Sequence, residues 1–288
     1  MIDFTSCQEL PSSYGGSEKK RKLVYSGENY LVKFPDPVRE QKNQLSYMNN
    51  QFSEYIGCHI FESVGIPAQE TLLGIYREPG GKEKIVVACK DFTTPGCVLQ
   101  EFSSLGNETT TIEYRIKPSI EDVYAVIEAQ PTTINKPEIM AAFWNMFVID
   151  ALIANKDRHL NNWGFLCAGG QVTFSPVYDC GSSLHALLSD ERCGELLADY
   201  TEFKNQCFNA FSVYSYNGKR INCADFFKTP IPPLEAAIKR MVPRIDMRKI
   251  QEIIENTPYM SDVRKEFLLK SVALRKELIL DRALKRCG

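Results

Sequence analysis

The sequence predicts an α+β fold in two lobes, a strand-rich one followed by a mainly helical one. Up to Phe92 most apolar residues fall in short runs separated by Gly, Pro and Asn, the punctuation of strands and tight turns. Beyond Phe92 they recur mainly at helical spacing. Strands grouped before helices in this way are α+β organisation. The chain has 288 residues, enough for one large or two medium domains. Residues 1–92 are expected to form the first lobe and 93–288 the second, joined at Lys90-Asp91-Phe92 and the Thr-Thr-Pro-Gly that follows.

Residues 22–34 read as two short strands around Ser26-Gly27-Glu28-Asn29. Residues 45–64 form a helix by periodicity, with Leu45, Met48, Phe52, Tyr55, Ile56, Ile60, Phe61 and Val64 on one face. Gly65 stops it and Pro67 follows. Residues 71–76 and 84–89 are two more strands across Pro79-Gly80-Gly81. Helices are expected over 120–129 and 137–153, with Pro131 and Pro137 at their junction. Residues 163–174 read as two strands around Ala168-Gly169-Gly170. From about Pro232 to Leu284 the pattern is helical, broken near Pro243 and Pro258. Residues 190–228 mix aromatic and polar residues with one Asn-Gly, and read either as a binding insertion or as a core segment.

Hydrophobic content of 44% and charged content of 24% are ordinary for a globular protein. The net charge of -2 gives no global handle for nucleic acid, so any phosphate binding must be local. No apolar run approaches the roughly 18–20 residues that span a bilayer. The N-terminus lacks the basic-then-apolar pattern of a signal peptide. The ten cysteines are scattered and form no C-x-x-C pair, so structural zinc is not expected. Reduced thiols point to the cytoplasm, with non-classical export as the other reading.

The chemistry is concentrated in Asn155-Lys156-Asp157-Arg158-His159-Leu160-Asn161-Asn162 and in Tyr178-Asp179 beyond the next strand pair. Asp157 follows an apolar helix in a polar loop, where a carboxylate can orient an acceptor hydroxyl and take its proton. Asn162, five residues on, offers a hard neutral oxygen suited to Mg²⁺. Asp179, before Cys180-Gly181, can chelate the same ion against ATP phosphates. Each alone is an ordinary loop residue; the order Asp, Asn, Asp around two strands points to an ATP- and Mg²⁺-dependent phosphotransferase. Asn161 reads as a turn residue. His159 is expected to brace the loop, and Arg158 either pairs with a carboxylate or approaches a phosphate. Lys33 lies in an apolar strand, either extended to phosphate oxygens with Glu54 as acidic partner or facing solvent. Gly15-Gly16-Ser17 offers backbone N–H groups to phosphates, or is a plain flexible loop; it matches neither G-x-x-x-x-G-K-[ST] nor G-x-G-x-x-G.

These residues resemble the HipA-type serine/threonine kinases, whose loop reads approximately N-x-D-x-H-x-x-N before a strand-turn-strand and Y-D. Among them the chain is similar to the shorter stand-alone bacterial CtkA-like kinases. The resemblance is strong at 155–162 and 178–179, and moderate at Lys33, from Glu54 to Gly65, and at Lys90-Asp91-Phe92. It implies a protein-kinase-like fold with Asp157 as catalytic base and Asn155, Arg158 and His159 supporting the loop. It further implies Asn162 and Asp179 as Mg²⁺ ligands, Lys33 on the ATP phosphates with Glu54 as its partner, and the backbone of Lys90, Asp91 and Phe92 against adenine. Three features depart from the pattern. The chain starts close to the phosphate loop, without the N-terminal subdomain of HipA proper; Asn161 stands where Lys is frequent; and Tyr178-Asp179-Cys180-Gly181 replaces Asp-Phe-Gly. Direct DNA binding is therefore not expected. The expected activity is Mg-ATP-dependent Ser/Thr protein kinase, autophosphorylating, with Ser12, Ser13 and Ser17 as candidate acceptors. The alternatives are a lipid or small-molecule kinase, and an ATP-binding pseudokinase that serves as an interaction module.

Overall fold

The computed structural model describes residues 2–11, 19–35, 49–105, 118–130 and 135–288. Residues 45–48 of the expected first helix, Pro131, and the Ser12, Ser13, Gly15, Gly16 and Ser17 candidates lie outside the described residues.

The strand-rich half contains β1 (Gln8–Leu10), β2 (Lys20–Tyr25), β3 (Glu28–Lys33), α1 (Asn50–Ser63), β4 (Thr71–Arg77) and β5 (Glu83–Lys90). Its strands form one antiparallel sheet in the order β1-β2-β3-β5-β4. Ser26 and Gly27 both take left-handed φ values, 50° and 81°, which match the turn to the strand twist. Alternation then sorts side chains by face. Leu23, Tyr30, Val32, Phe34, Val86 and Ala88 pack with Phe4 on the outer face. Lys33 is opposite Val87, so both point to the inner face. There Leu73, Val87 and Cys89 meet Phe52, Ile56, Ile60 and Phe61 of α1. A strand lysine facing solvent is thus excluded: Lys33 is only 7% exposed.

The helical half begins with β6 (Cys97–Glu101), α2 (Ile120–Ala129), α3 (Lys136–Leu152), β7 (Gly164–Ala168) and β8 (Gln171–Phe174). It continues through α4 (Asp190–Ala198), α5 (Tyr200–Phe208), β9 (Phe211–Tyr216), β10 (Lys219–Asn222) and the short α6 (Cys223–Phe226). It ends with α7 (Pro232–Met241), α8 (Met247–Glu255), α9 (Asp262–Arg275), a π-helical stretch at Lys276–Asp281, and α10 (Arg282–Cys287). The strand β6 has no clear sequence signal; it pairs with β7 to complete a three-stranded sheet β6-β7-β8. Residues 190–228 resolve into two helices, a hairpin and a helical turn, and Tyr214 is wholly buried. The Tyr214 hydroxyl accepts a hydrogen bond from Trp163 Nε1 at 2.9 Å, and its ring meets Phe143 edge-on. That part of the segment is core.

The central helix is α3. Asn135 caps it by accepting from the Glu138 N–H, and Pro137 occupies its first turn. Phe143, Trp144, Phe147, Val148, Ile149 and Leu152 are all buried, so the helix is apolar on most sides, as an interior helix must be. Its last carbonyls would be orphans inside the core. Arg275 at the end of α9 supplies them: its Nε donates to Ala151 O at 2.9 Å and Leu152 O at 3.2 Å, and Nη1 donates to Cys207 O. A positive charge at a helix C-terminus also complements the helix dipole.

Nearby, His185 is buried, with Nε2 3.0 Å from Ser271 Oγ and Nδ1 3.3 Å from Gln206 Nε2. Burial, reinforced by Arg275, Lys156 and Arg264, pushes its imidazole down to about 3. The ordinary value is 6.5, so unfolding takes up a proton whenever the pH is below that. The stabilisation is complete above about pH 6.5 and is lost as pH falls toward about 3, at about 1.4 kcal/mol per unit. Urea midpoints taken between about pH 7 and about pH 5 are expected to fall for the wild type and to fall less steeply for His185→Gln.

No described helix is long and apolar enough to cross a membrane. All ten cysteines are free thiols.

Candidate active site

The end of α3 positions the loop of residues 155–162. Asp150, in its last turn, is the one charged residue of the stretch from Phe143 to Ala154, and it is 6% exposed. Such a group requires a partner. Arg158, 3% exposed, donates Nε to Asp150 Oδ2 at 2.9 Å and Nη2 to Oδ1 at 3.1 Å. This two-pronged geometry suits a planar guanidinium. The remaining nitrogen, Nη1, donates to Asn162 O at 2.7 Å and to Tyr178 O. One buried side chain therefore ties α3 to the end of the loop and to the backbone just before Asp179. Of the two sequence readings of Arg158, pairing with a carboxylate is the one realised.

Asn155 and Asn162 fix Asp157 from both sides. Asn155 donates Nδ2 to Asp150 Oδ1 at 2.9 Å and accepts the Asp157 N–H at 3.1 Å. Asn162 donates Nδ2 to Asp157 O at 2.8 Å. With both backbone groups held, the carboxylate of Asp157 stands partly open to solvent. His159 lies beside it, with Nε2 3.9 Å from Asp157 Oδ2, while its Nδ1 accepts the Asn161 N–H at 3.3 Å. Burial pushes the Asp157 carboxyl above its ordinary value, Asp179 adds to that, and His159 and Arg158 oppose it. A raised carboxylate is a better proton acceptor for a hydroxyl.

The second half of the site comes from three separate elements. Lys33 Nζ lies 3.0 Å from Asp179 Oδ1 and 3.3 Å from Glu54 Oε2 of α1. Asp179 has φ of 57°, a left-handed conformation that a non-glycine residue holds only when its surroundings impose it. Those surroundings are visible. Val177 N–H donates to Pro67 O and Val177 O accepts from Gln69 N–H, both at 2.8 Å. Tyr178 donates its hydroxyl to Asn161 O at 2.9 Å and its backbone O accepts from Arg158. Burial works against ionisation of Asp179, but Lys33 overrides it and holds the carboxyl down at about 2. Burial likewise opposes the Lys33 charge, while Asp179 and Glu54 hold its ammonium well above the ordinary value.

The donor set suits Mg²⁺. Asn162 spends its Nδ2 on Asp157, leaving Oδ1 without a hydrogen-bond donor among the described residues. Asp179 commits Oδ1 to Lys33. An amide oxygen and a carboxylate are hard ligands, and Mg²⁺ takes few protein groups when phosphates and water complete its shell.

The join near Lys90 is more selective than the sequence indicates. Lys90 N–H donates to Glu70 O, and Lys90 O accepts from Gln69 Nε2 at 2.9 Å. Asp91 N–H donates to Asn29 O at 2.8 Å, and its carboxylate accepts from Thr93 and Lys22. Among the described residues, Asp91 O and Phe92 N–H have no such partner. Phe92 also contacts the Tyr178 ring, with centroids 5.9 Å apart. Lys90 itself reaches outward to Glu28 and Glu70 at 3.4 Å each.

The helix α1 must approach the Asp179 segment closely for Glu54 to reach Lys33, and Gly57 permits this. A Cβ at Gly57 would lie 2.6 Å from Cys180 Cβ and 3.4 Å from Cys180 Sγ and Ser183 Oγ. Ser53 and Ser183 lock the same contact, Ser53 Oγ donating to Ser183 O at 2.8 Å. Gly57→Ala is expected to push α1 outward, cost about 1–3 kcal/mol, and weaken nucleotide binding through displaced Glu54. Thermal midpoints with and without nucleotide check both effects.

The structure thus gathers Lys33, Glu54 and Asp179 into one cluster, and Asn155, Asp157, Arg158, His159 and Asn162 into one loop. Two residues escaped sequence reasoning. Asp150 carried a signal, an acid inside an apolar helix. Arg275 carried none, since nothing in its local sequence marks it as the partner of carbonyls in α3.

A family described as HipA-like C-terminal domain matches residues 12–257. The serine/threonine-protein kinase CtkA of Helicobacter pylori is 42% identical over 289 aligned residues, covering 97% of this chain and 86% of that protein. A crystal structure of that organism's proinflammatory kinase CtkA superposes with a TM-score of 0.88 at 41% identity, covering 99% of this chain and 97% of the other. A chain from the complex of the Shewanella oneidensis toxin–antitoxin system HipA, HipB and its operator DNA matches with a TM-score of 0.54 at 16% identity, covering 96% of this chain and 64% of that one. The latter likeness is one of fold. The fold is accordingly protein-kinase-like, and the chain belongs to the HipA-like C-terminal domain family.

Proposed function

We propose that the chain is a Ser/Thr protein kinase that moves the γ-phosphoryl group of Mg-ATP to a protein hydroxyl, its own included. The observation that carries this reading is the convergence of Lys33, bridged to Glu54 and Asp179, on a loop that fixes Asp157 and Asn162.

Asp157 orients the acceptor hydroxyl and takes its proton as the oxygen attacks the γ-phosphorus, while the bond from that phosphorus to the β–γ bridging oxygen breaks and ADP leaves. Its fixed backbone makes the placement repeatable, which is where much of the rate in such transfers arises. Lys33 balances charge on phosphate oxygens, and Glu54 holds it in place. Asn162 and Asp179 would hold Mg²⁺, which when bound supplies charge neutralisation on those oxygens. Asp91 O and Phe92 N–H are the groups left to meet adenine. Residues 1–92 and 93–288 act as the two lobes on either side of the nucleotide.

Intact-mass measurement after incubation with Mg-ATP tests the reading. Added phosphate on Ser or Thr that is absent from Asp157→Ala supports it. Mass gain that persists in Asp157→Ala overturns the assignment of the base. ATP turnover without any phosphoprotein points instead to a lipid or small-molecule acceptor, and nucleotide binding without turnover to a pseudokinase.

A further inference from the structure

The sheet β6-β7-β8 leaves β6 at its edge, and the register fixes what that edge presents. Glu101 stands opposite Gly164, so Phe102 stands opposite Trp163, and Phe102 N–H donates to Trp163 O at 3.0 Å. Along an antiparallel pair, residues bonded to the neighbour alternate with residues that face outward. Gln100 and Val98 therefore bond to β7, while the backbone groups of Cys97, Leu99 and Glu101 point away from the sheet. Cys97 obeys this, since its N–H donates to Thr94 O at 2.8 Å. So does Glu101, whose O accepts from Ser104 Oγ at 2.7 Å. Leu99 N–H, Leu99 O and Glu101 N–H have no partner among the described residues. A surface pocket lies along this edge, lined by Val98, Leu99, Gln100, Glu101, Ser104 and Cys167. The strand carries no proline, lysine or bulge, the usual protections of an open edge.

We propose that the free edge of β6 receives the acceptor polypeptide as an added strand, with Glu101 reading a basic side chain and Val98 an apolar one three residues away from it. The inference rests on the protein-kinase reading above and deepens it.

Hydrogen bonding, position and charge support this occupant. Leu99 offers one donor and one acceptor outward, the pair that an extended chain fills when it joins a sheet edge. The edge leads to the loop that bears Asp157, because Ser103 N–H, just beyond β6, donates to Leu160 O at 3.0 Å. Burial and then Glu101 push the Tyr178 hydroxyl up, and that hydroxyl donates to Asn161 O at 2.9 Å, so the Glu101 carboxylate lies at this same end. Glu101 is exposed and forms no ion pair among the described residues, so it is free to attract Lys or Arg. On the opposite face Val98, Cys167 and Val172 form one cross-strand row, with Val98 64% and Val172 40% exposed. An added strand extends that row with a side chain of its own, and an apolar one covers Val98. Glu101 and Val98 lie on opposite faces, so a strand paired with β6 carries its cation and its apolar residue at the same odd spacing. The cation falls nearer the modified hydroxyl. The competing explanations are an edge that pairs with a second copy of the chain, and a Glu101 that serves the nucleotide.

The test uses serine peptides on an alanine background, with Lys and Val moved singly and together across the flanking positions. The wild type is expected to prefer one Lys placement by roughly tenfold in kcat/KM, the scale of one charge-assisted hydrogen bond, and to gain further from Val three residues beyond it. Glu101→Lys is expected to turn the preference toward Glu-containing peptides with the KM for ATP unchanged. Leu99→Pro removes the outward N–H and spares the bonds to β7, as proline does at a sheet edge. It is expected to raise the peptide KM about tenfold, with kcat and the KM for ATP near wild type. Glu101 is exposed, so its variant tests the idea even if Leu99→Pro fails to fold. A wild type that phosphorylates all peptides equally, or itself but none of them, overturns the inference alone. So does a preference untouched by Glu101→Lys, a rise in the KM for ATP in place of a peptide effect, or a wild-type dimer that Leu99→Pro dissociates. A wild type that phosphorylates no peptide and not itself overturns the kinase reading and the inference with it.

Discussion

Asp157→Asn is expected to lower phosphoryl transfer by about 10²–10⁴-fold while leaving ATP affinity nearly unchanged. The substitution keeps shape and polarity but removes the ionised carboxylate proposed to accept the hydroxyl proton. The backbone bonds from Asn155 and Asn162 do not involve the carboxylate, so the loop is expected to hold its form. The loss should therefore appear in kcat and not in nucleotide binding. Because burial raises the Asp157 carboxyl, wild-type activity should rise with pH through an ionisation above the ordinary carboxylate range. That limb is expected to vanish from the residual activity of Asp157→Asn. A variant that loses ATP binding and kcat together would mean that Asp157 holds the nucleotide or the fold.

Asp150→Ala is expected to be the most destabilising single substitution near the site, at about 3–5 kcal/mol. It strands the Arg158 guanidinium in the core and removes the acceptor for Asn155 Nδ2. The damage spreads because Arg158 also holds Asn162 O and Tyr178 O, the backbone on both segments proposed to hold Mg²⁺. Denaturant unfolding measures the stability loss. Nucleotide-induced stabilisation measures the functional loss, which should exceed that of Asp157→Asn although Asp150 touches no substrate. Asp150→Asn, which keeps an acceptor but not the charge, should fall between Ala and wild type. Equal stability of all three would show that the pair is dispensable to the loop.

Much of this site is written in contiguous residues. The interval from Asn155 to Asn162 holds the proposed base, one proposed metal ligand and the side chains that brace them within one loop, so spacing alone singles them out. The pairs β2–β3, β4–β5 and β7–β8 are legible because Gly-containing turns separate apolar runs. What stays hidden is whatever depends on distant chain segments. Lys33 reads as either a phosphate-binding or a solvent-facing residue until the register sets it opposite Val87. Arg275 lies 124 positions from the carbonyl of Ala151 that it caps. The strand β6 is too short to announce itself and exists because β7 offers it an edge. In residues 190–228, aromatic content does not tell core from surface, and the Trp163–Tyr214 bond that decides it joins residues 51 apart.

The most direct test of the central claim, that Asp179 and Asn162 hold the metal beside Lys33, is γ-phosphate transfer from labelled ATP to protein across a Mg²⁺ titration. Wild type, Asp179→Asn and Asn162→Ala are compared. The expected result is labelled phosphoserine or phosphothreonine in the wild type, with each variant losing transfer or requiring at least about tenfold more Mg²⁺. Labelling by both variants at the wild-type rate and the wild-type Mg²⁺ midpoint would contradict it.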